Sequence, residues 1–182
     1  MDMKKIILTC ALLSLLGSAR AESFKIGQNL ASFGVGFGWT HKVQLSKTTH
    51  FPSPNVMVER GILPFQNFGF LSVGGQFGFH HSNHKDQSWT SVYFIPRVAL
   101  YFHEWFIEEA DDFPNNIDLY VGAGVGFNFL SHHTNEIPDD TKFRLGYNFF
   151  VGGRYYFKPN ASVFAEIGYG ISFLNAGFTI RF

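Results

Sequence analysis

The sequence has one cysteine in 182 residues, Cys10, and it lies within a leader-like opening stretch. MDMKK is a short basic region, IILTCALLSLLG is apolar, and Ala19-Arg20-Ala21 reads as a small-residue cleavage site before Glu22. This is the layout of a secretory signal peptide over residues 1–21, and its apolar part is too short for an ordinary spanning helix. The mature chain, residues 22–182, would then hold no cysteine, which excludes a disulfide framework and thiol catalysis. It also lacks a basic surplus. Without Asp2, Lys4, Lys5 and Arg20 there remain 11 basic and 13 acidic residues, a net charge of −2 with histidine neutral. That speaks against nucleic acid as a partner. Finally, no stretch after the leader approaches the run of about 18 apolar residues that a helical membrane protein needs.

Lipid attachment at Cys10 is disfavoured. Thr9 before it is larger than the small residue such sites use, and the apolar run continues beyond the cysteine. The length of 22–182 suits one domain.

What is abundant is phenylalanine and glycine, 23 and 19 residues respectively, and they alternate. In NLASFGVGFGWT, Phe33, Val35, Phe37 and Trp39 share one parity, while Gly34, Gly36, Gly38 and Thr40 share the other. A strand sends these sets to opposite faces, one bulky and apolar, the other nearly bare. FLSVGGQFGFHH and DLYVGAGVGFNF repeat the pattern. Eight such segments lie near 30–41, 54–62, 68–80, 89–103, 118–131, 142–157, 161–170 and 174–182, separated by turn clusters such as HFPSPN, SNHKDQS, EIPDD and KPN. A soluble barrel turns its apolar side chains inward. Here the continuous bulky face needs an apolar exterior, and the other face carries small and polar residues. The expected fold is therefore all-β, an eight-stranded antiparallel up-and-down transmembrane β-barrel, the closed form that leaves no strand edge unsatisfied in lipid.

Glu59, Arg97, Arg144, Arg154 and Glu166 all fall on the inward parity. On the outer face at mid-membrane each arginine would cost about 2–4 kcal/mol. An eight-stranded barrel is just wide enough for side chains to fill. The expectation is an interior bridged by Arg–Glu pairs, with Tyr93, Tyr101, Phe150 and Tyr156 filling space above glycine-lined walls. With the first strand leaving the periplasm, residues 42–53, 80–88 and 131–141 become extracellular loops, and the connection near Ile171–Leu174 is very short. On the inner side 158–160 is tight, whereas 104–117 is long and acidic, unusual for a periplasmic turn.

SVYFIPRVALYFH, DLYVGAGVGFNF, FFVGGRYYFKPNASVFAEIGYG and NAGFTIRF resemble the strands of small outer-membrane β-barrel proteins of Gram-negative bacteria, of the OmpX/OmpA-barrel and opacity-protein type. The resemblance covers residues 28–182 and is most specific where GGRYYF precedes AEIGYG and the chain ends on Phe182; NVMVERGI departs from the group's aromatic-rich second strand. It implies the bacterial outer membrane, outer-membrane lipid as surroundings and a monomeric state. It also implies a last strand, with Phe178, Ile180 and Phe182 on its lipid side, that the outer-membrane assembly machinery reads. Roles in the group range from adhesion and immune evasion to small-solute passage and envelope integrity, and no catalytic residue or cofactor carries over.

Histidine is the one oddity. His41, His50, His80, His81, His84, His132 and His133 lie in or beside the three outer loops, and only His103 lies at the inner end. No pair has a recognised zinc-site spacing, so solvated loop histidines are the simpler reading and no metal site is assigned. HHSN resembles the His-x-Ser-Asn run of outer-membrane lipid A deacylases, but His80 and Ser82 take the inward parity, away from lipid. GAGVGF and GVGFGW do not match G-x-G-x-x-G and precede no helix. The expectation is a non-enzymatic surface or structural barrel with a filled lumen, displaying three loops to an extracellular ligand. The alternative is a narrow channel or small-ligand barrel.

Overall fold

The computed structural model describes residues 23–38, 49–50, 52–65, 68–84, 87–102, 116–134 and 137–182. The leader expected over 1–21 and most of the long inner turn 104–117 lie outside them. The strands run β1 (Asn29–Phe37), a two-residue β2 (Thr49–His50), β3 (Ser53–Phe65), β4 (Gly69–His84), β5 (Gln87–Tyr101), β6 (Ile117–Thr134), β7 (Ile137–Lys158), β8 (Ala161–Tyr169) and β9 (Leu174–Arg181). β2 only extends the edge of β4, pairing Thr49 with Asn83. The other eight each pair antiparallel with two neighbours, and β9 pairs with β1 to close the wall. Among the described residues there is no helix. The fold is the eight-stranded up-and-down barrel read from the alternation.

Alternation decides which way each side chain points, and β9 shows the contrast. Phe178 is 63% exposed, whereas Thr179, the next residue, is 1% exposed and meets Ser32 of β1 across the lumen side at 2.8 Å. Phe33, Phe77, Phe94, Val125, Phe149 and Val151 continue the same exposed apolar belt around the wall. Water would be a poor solvent for that belt, because each large apolar side chain left wet forgoes about 1.5–3 kcal/mol. Inside the belt run the polar and small residues, so the barrel is inverted relative to a soluble one.

The strands are staggered. Phe182 exchanges backbone hydrogen bonds with Asn29; Asn29 pairs with Arg60, Arg60 with Val73, and Val73 with Val98. Continuing through Ala123 and Phe149, this row reaches Tyr169 at the opposite end of β8. A row that climbs from one rim to the other means strongly tilted strands, as closure of a narrow barrel demands. Gly170, at φ 123°, turns the chain out of β8 in a conformation that an L side chain resists.

Two of the expected loops need correction. Residues 80–84 and 87–88 are strand, as are 131–134 and 137–141, so the β4–β5 and β6–β7 hairpins rise well past the apolar belt. Polar composition misled the reading there: strand pairing rests on backbone hydrogen bonds and can continue where side chains no longer need to meet lipid. Of 42–53, only residues 49–50 and 52–53 are described. The short connection 170–173 is present; in it Gly168 N–H donates to the Phe173 carbonyl at 2.9 Å.

Candidate functional site

The interior is the place where this chain concentrates chemistry. Four of the five charged residues expected to face inward meet at mid-barrel. Arg97 from β5 donates through two nitrogens to Glu166 of β8, at 2.6 and 3.4 Å. Its Nε lies 3.3 Å from Glu59 Oε1 of β3, an ion-pair distance without hydrogen-bond alignment. Arg154 of β7 donates to the other Glu59 oxygen at 3.2 Å and to the Tyr101 hydroxyl at 2.8 Å. Arg97, Arg154, Glu59 and Glu166 are all buried. Two guanidiniums and two carboxylates thus cross-link four strands in a neutral cluster.

Arg144 is not part of it. It lies toward the outer part of β7 and is exposed, although Asn128 opposite it on β6 is buried. Sharing the inward parity is therefore not enough; position along the strand and the length of the side chain also decide. Glu59 lies in the cluster although NVMVERGI lacks the aromatic pattern of the other strands.

Neutral groups complete the ion cluster. Tyr120 donates to Glu166 at 3.1 Å, Tyr101 to Glu59 at 3.2 Å, and Asn175 to Glu166 at 3.3 Å. Each carboxylate thereby gains donors beyond its arginines, which a buried ion pair needs in order to offset desolvation. The Arg97 guanidinium lies 3.8 Å from the Phe150 ring centroid, and Arg154 stands 5.2 Å from that of Tyr120. Towards the outer end follow amides: Asn55 donates to Asn175 at 2.9 Å and Asn148 to Gln76 at 3.1 Å. From the short outer connection, Ile171 reaches inward to cluster with Tyr93 and Ile95. A gap of about 10 Å³ among Gln76, Asn148, Phe150, Glu166 and Asn175 has the size of one water.

The inner end holds a feature with no periodic signal in the sequence. Ser23 and Phe24 precede β1 yet are buried. The Phe24 ring meets Phe70 and Tyr101 edge-on at 5.2 and 5.1 Å, and its N–H donates to Asp118 Oδ2 at 3.2 Å. Arg181 donates to the Ser23 carbonyl at 2.9 Å and also to the Pro159 carbonyl. A segment outside the strands thus folds back as a peg into the inner mouth.

Glycines make room for these side chains. A Cβ on Gly152 would stand 2.5 Å from the Tyr120 ring, whereas one on Gly153, facing out, would meet nothing nearer than Leu119 at 3.5 Å. We expect Gly152→Leu to lower stability by about 1–3 kcal/mol by displacing Tyr120 from Glu166, and Gly153→Leu to be close to neutral. Urea unfolding in lipid vesicles measures both; equal effects would contradict the assignment of the two faces.

Among the described side chains, those of His80, His81 and His132 do not gather. His80 is buried on the lumen side, whereas its neighbour His81 points the other way and meets Thr90 at 3.0 Å. His132 stacks on Trp89 with centroids 5.2 Å apart. Among the described residues no three His, Cys, Asp or Glu form a group able to hold a metal. His41 and His103 lie outside those residues. Ser82 is buried with His80, so neither of the HHSN residues with nucleophile–base chemistry faces lipid.

A closed eight-stranded wall, apolar outside and ion-paired within, defines the architecture of small outer-membrane barrels. The comparison with solved structures agrees at the level of fold. The chain is similar to Neisserial surface protein A, with a TM-score of 0.55 and 14% identity over 85% of this chain and 95% of that one. It is similar to the N-terminal β-barrel domain of Pseudomonas aeruginosa OprF, at 0.53 and 10% over 87% and 100%. It is likewise similar to Ail, the attachment invasion locus protein of Yersinia pestis, at 0.51 and 14% over 86% and 99%. No protein-family model matches the chain, and no curated protein sequence does.

Proposed function

We propose that this chain is a non-enzymatic barrel of the Gram-negative outer membrane, exported by the leader over 1–21. Its braced interior serves as a rigid frame for display of its outer segments to an extracellular partner. The observation that carries this reading is the buried Arg97–Glu166 and Arg154–Glu59 cluster, which spans the lumen where a pore would need open space. The apolar belt supports a lipid surrounding, and two of the similar structures belong to proteins named for the cell surface and for attachment. Display falls to 42–53 and to the raised hairpins around 80–88 and 131–141. GGRYYF, AEIGYG and the terminal Phe182 favour a barrel of the OmpX/OmpA and opacity-protein type.

Planar-bilayer recording tests the filled lumen. The refolded protein is expected to give no steady ohmic steps; regular steps that disappear when Gly124 is replaced by leucine would establish the narrow-channel alternative instead. Trimming the β6–β7 hairpin through 131–141 to a tight turn is expected to reduce binding of cells to host or abiotic surfaces while membrane levels hold. Unchanged binding after trimming each of the three outer segments would remove the display role.

A further inference from the structure

Among the described residues, the outer wall carries one arginine where the belt is otherwise apolar. Arg60 lies on the outward parity of β3, between Val58 and Ile62, paired with Val73 on β4 and Asn29 on β1. It is exposed, in contrast to Glu59 beside it. The climbing row of paired residues fixes its height. Phe182 at the inner rim is only two strands away, and the row rises from there toward Tyr169. Ile62, Leu63 and Phe65 continue the exposed apolar face below it on β3, so Arg60 stands in the lower part of the belt, and its long side chain must extend down the wall to bring the guanidinium to the headgroup layer while its stem lies on apolar surface.

Above it the wall is hollowed. Gly75 faces outward between Val73 and Phe77, and a groove of about 430 Å³ runs past Val56, Val58, Val73, Phe77 and Phe94 with Arg60 at one end. It meets a second apolar hollow of about 550 Å³ at Val56 and Phe77, which continues past Phe33, Val35 and Phe79. The Phe94 ring stands 3.2 Å from where a Cβ on Gly75 would sit, so the ring lies against the glycine as one side of the lower groove, and a larger residue at 75 would push it across that groove. A cation at the headgroup end of an apolar channel matches a phosphate joined to an acyl chain.

We infer that Arg60 and the Gly75 groove form a binding site for one glycerophospholipid of the inner leaflet, its phosphate on Arg60 and an acyl chain along Val58, Gly75 and Phe77. The inference rests on the membrane-barrel reading above, because that reading supplies both the lipid and the orientation. The phosphate ester is the recognised group, and the charge-assisted contact of an arginine with it supplies selectivity over uncharged lipid.

Native mass spectrometry of the full mature barrel, refolded in detergent, tests it. The probes are dioleoyl phosphatidylglycerol, dioleoyl phosphatidylethanolamine and dioleoylglycerol, the last lacking phosphate. The wild type is expected to retain one molecule of either phospholipid and to bind the diacylglycerol about tenfold more weakly. Arg60→Gln should erase that preference without changing diacylglycerol binding. Gly75→Leu should weaken all three, and Val163→Leu, on the opposite wall, none. Phospholipid preference unchanged in Arg60→Gln would overturn the site, as would equal binding of all three probes by the wild type. Failure of the wild type to fold in detergent or lipid, read from its strand circular dichroism, would instead overturn the membrane-barrel reading itself.

Discussion

Glu59→Ala is expected to destabilise the barrel by about 3–5 kcal/mol, the cost of removing one partner from a buried ion pair. Glu59 touches both guanidiniums, Arg97 at 3.3 Å and Arg154 at 3.2 Å, so one truncation leaves two buried cations short of a counter-charge. Glu166 still neutralises Arg97, whereas Arg154 is left with neutral neighbours, the Tyr101 hydroxyl at 2.8 Å and the Tyr120 ring at 5.2 Å. The loss should therefore be relieved by removing Arg154 as well: in the Glu59→Met, Arg154→Met double variant the penalty is expected to fall well below the sum of the two single ones. Arg144→Met, at the exposed outer part of β7, serves as a comparison and is expected to change stability by no more than about 0.5 kcal/mol. Urea unfolding in lipid vesicles checks the set. A Glu59→Ala loss below about 1 kcal/mol would mean that the cluster does not brace the barrel.

Phe182→Ala is expected to lower the amount of barrel in the membrane severalfold while leaving the refolded protein nearly as stable as the wild type. The side chain is 68% exposed, so its removal costs the finished fold few contacts, and the closing backbone bonds between Phe182 and Asn29 do not need it. Phe178 and Ile180 share its outward face on β9 and should follow the same pattern more weakly. A recognition role during assembly separates yield from stability; a packing role would lower both together. Quantitative immunoblotting of membrane fractions, set beside unfolding of refolded protein, distinguishes them.

Period-two alternation made the wall legible without any structure, because in a barrel the two faces of every strand meet different solvents. It also placed Glu59, Arg97, Arg154 and Glu166 on one side. It had no means of placing Arg144, since parity describes direction and says nothing of height along a tilted strand. Hairpin length was hidden for a related reason. His80 to His84 and Ser131 to Thr134 look like loop by composition, yet they remain paired because strand pairing persists where the apolar requirement ends. Tyr120 and Asn175 lay on the inward parity in plain view; Asn175 meets Glu166 as its partner across the β8–β9 hairpin, whereas Tyr120 reaches Glu166 from 46 residues away, and no local pattern encodes that meeting.

The peg at the inner mouth carries a consequence for timing. The seat of Phe24 is made by Phe70, Tyr101 and Asp118, and Ser23 is held by Arg181 near the far end of the chain. Ser23 and Phe24 are made before any of those partners, and the last of them, Arg181, takes its place only when β9 has joined β1. The peg can therefore seat only after the wall has closed, and folding finishes with residues that precede every strand.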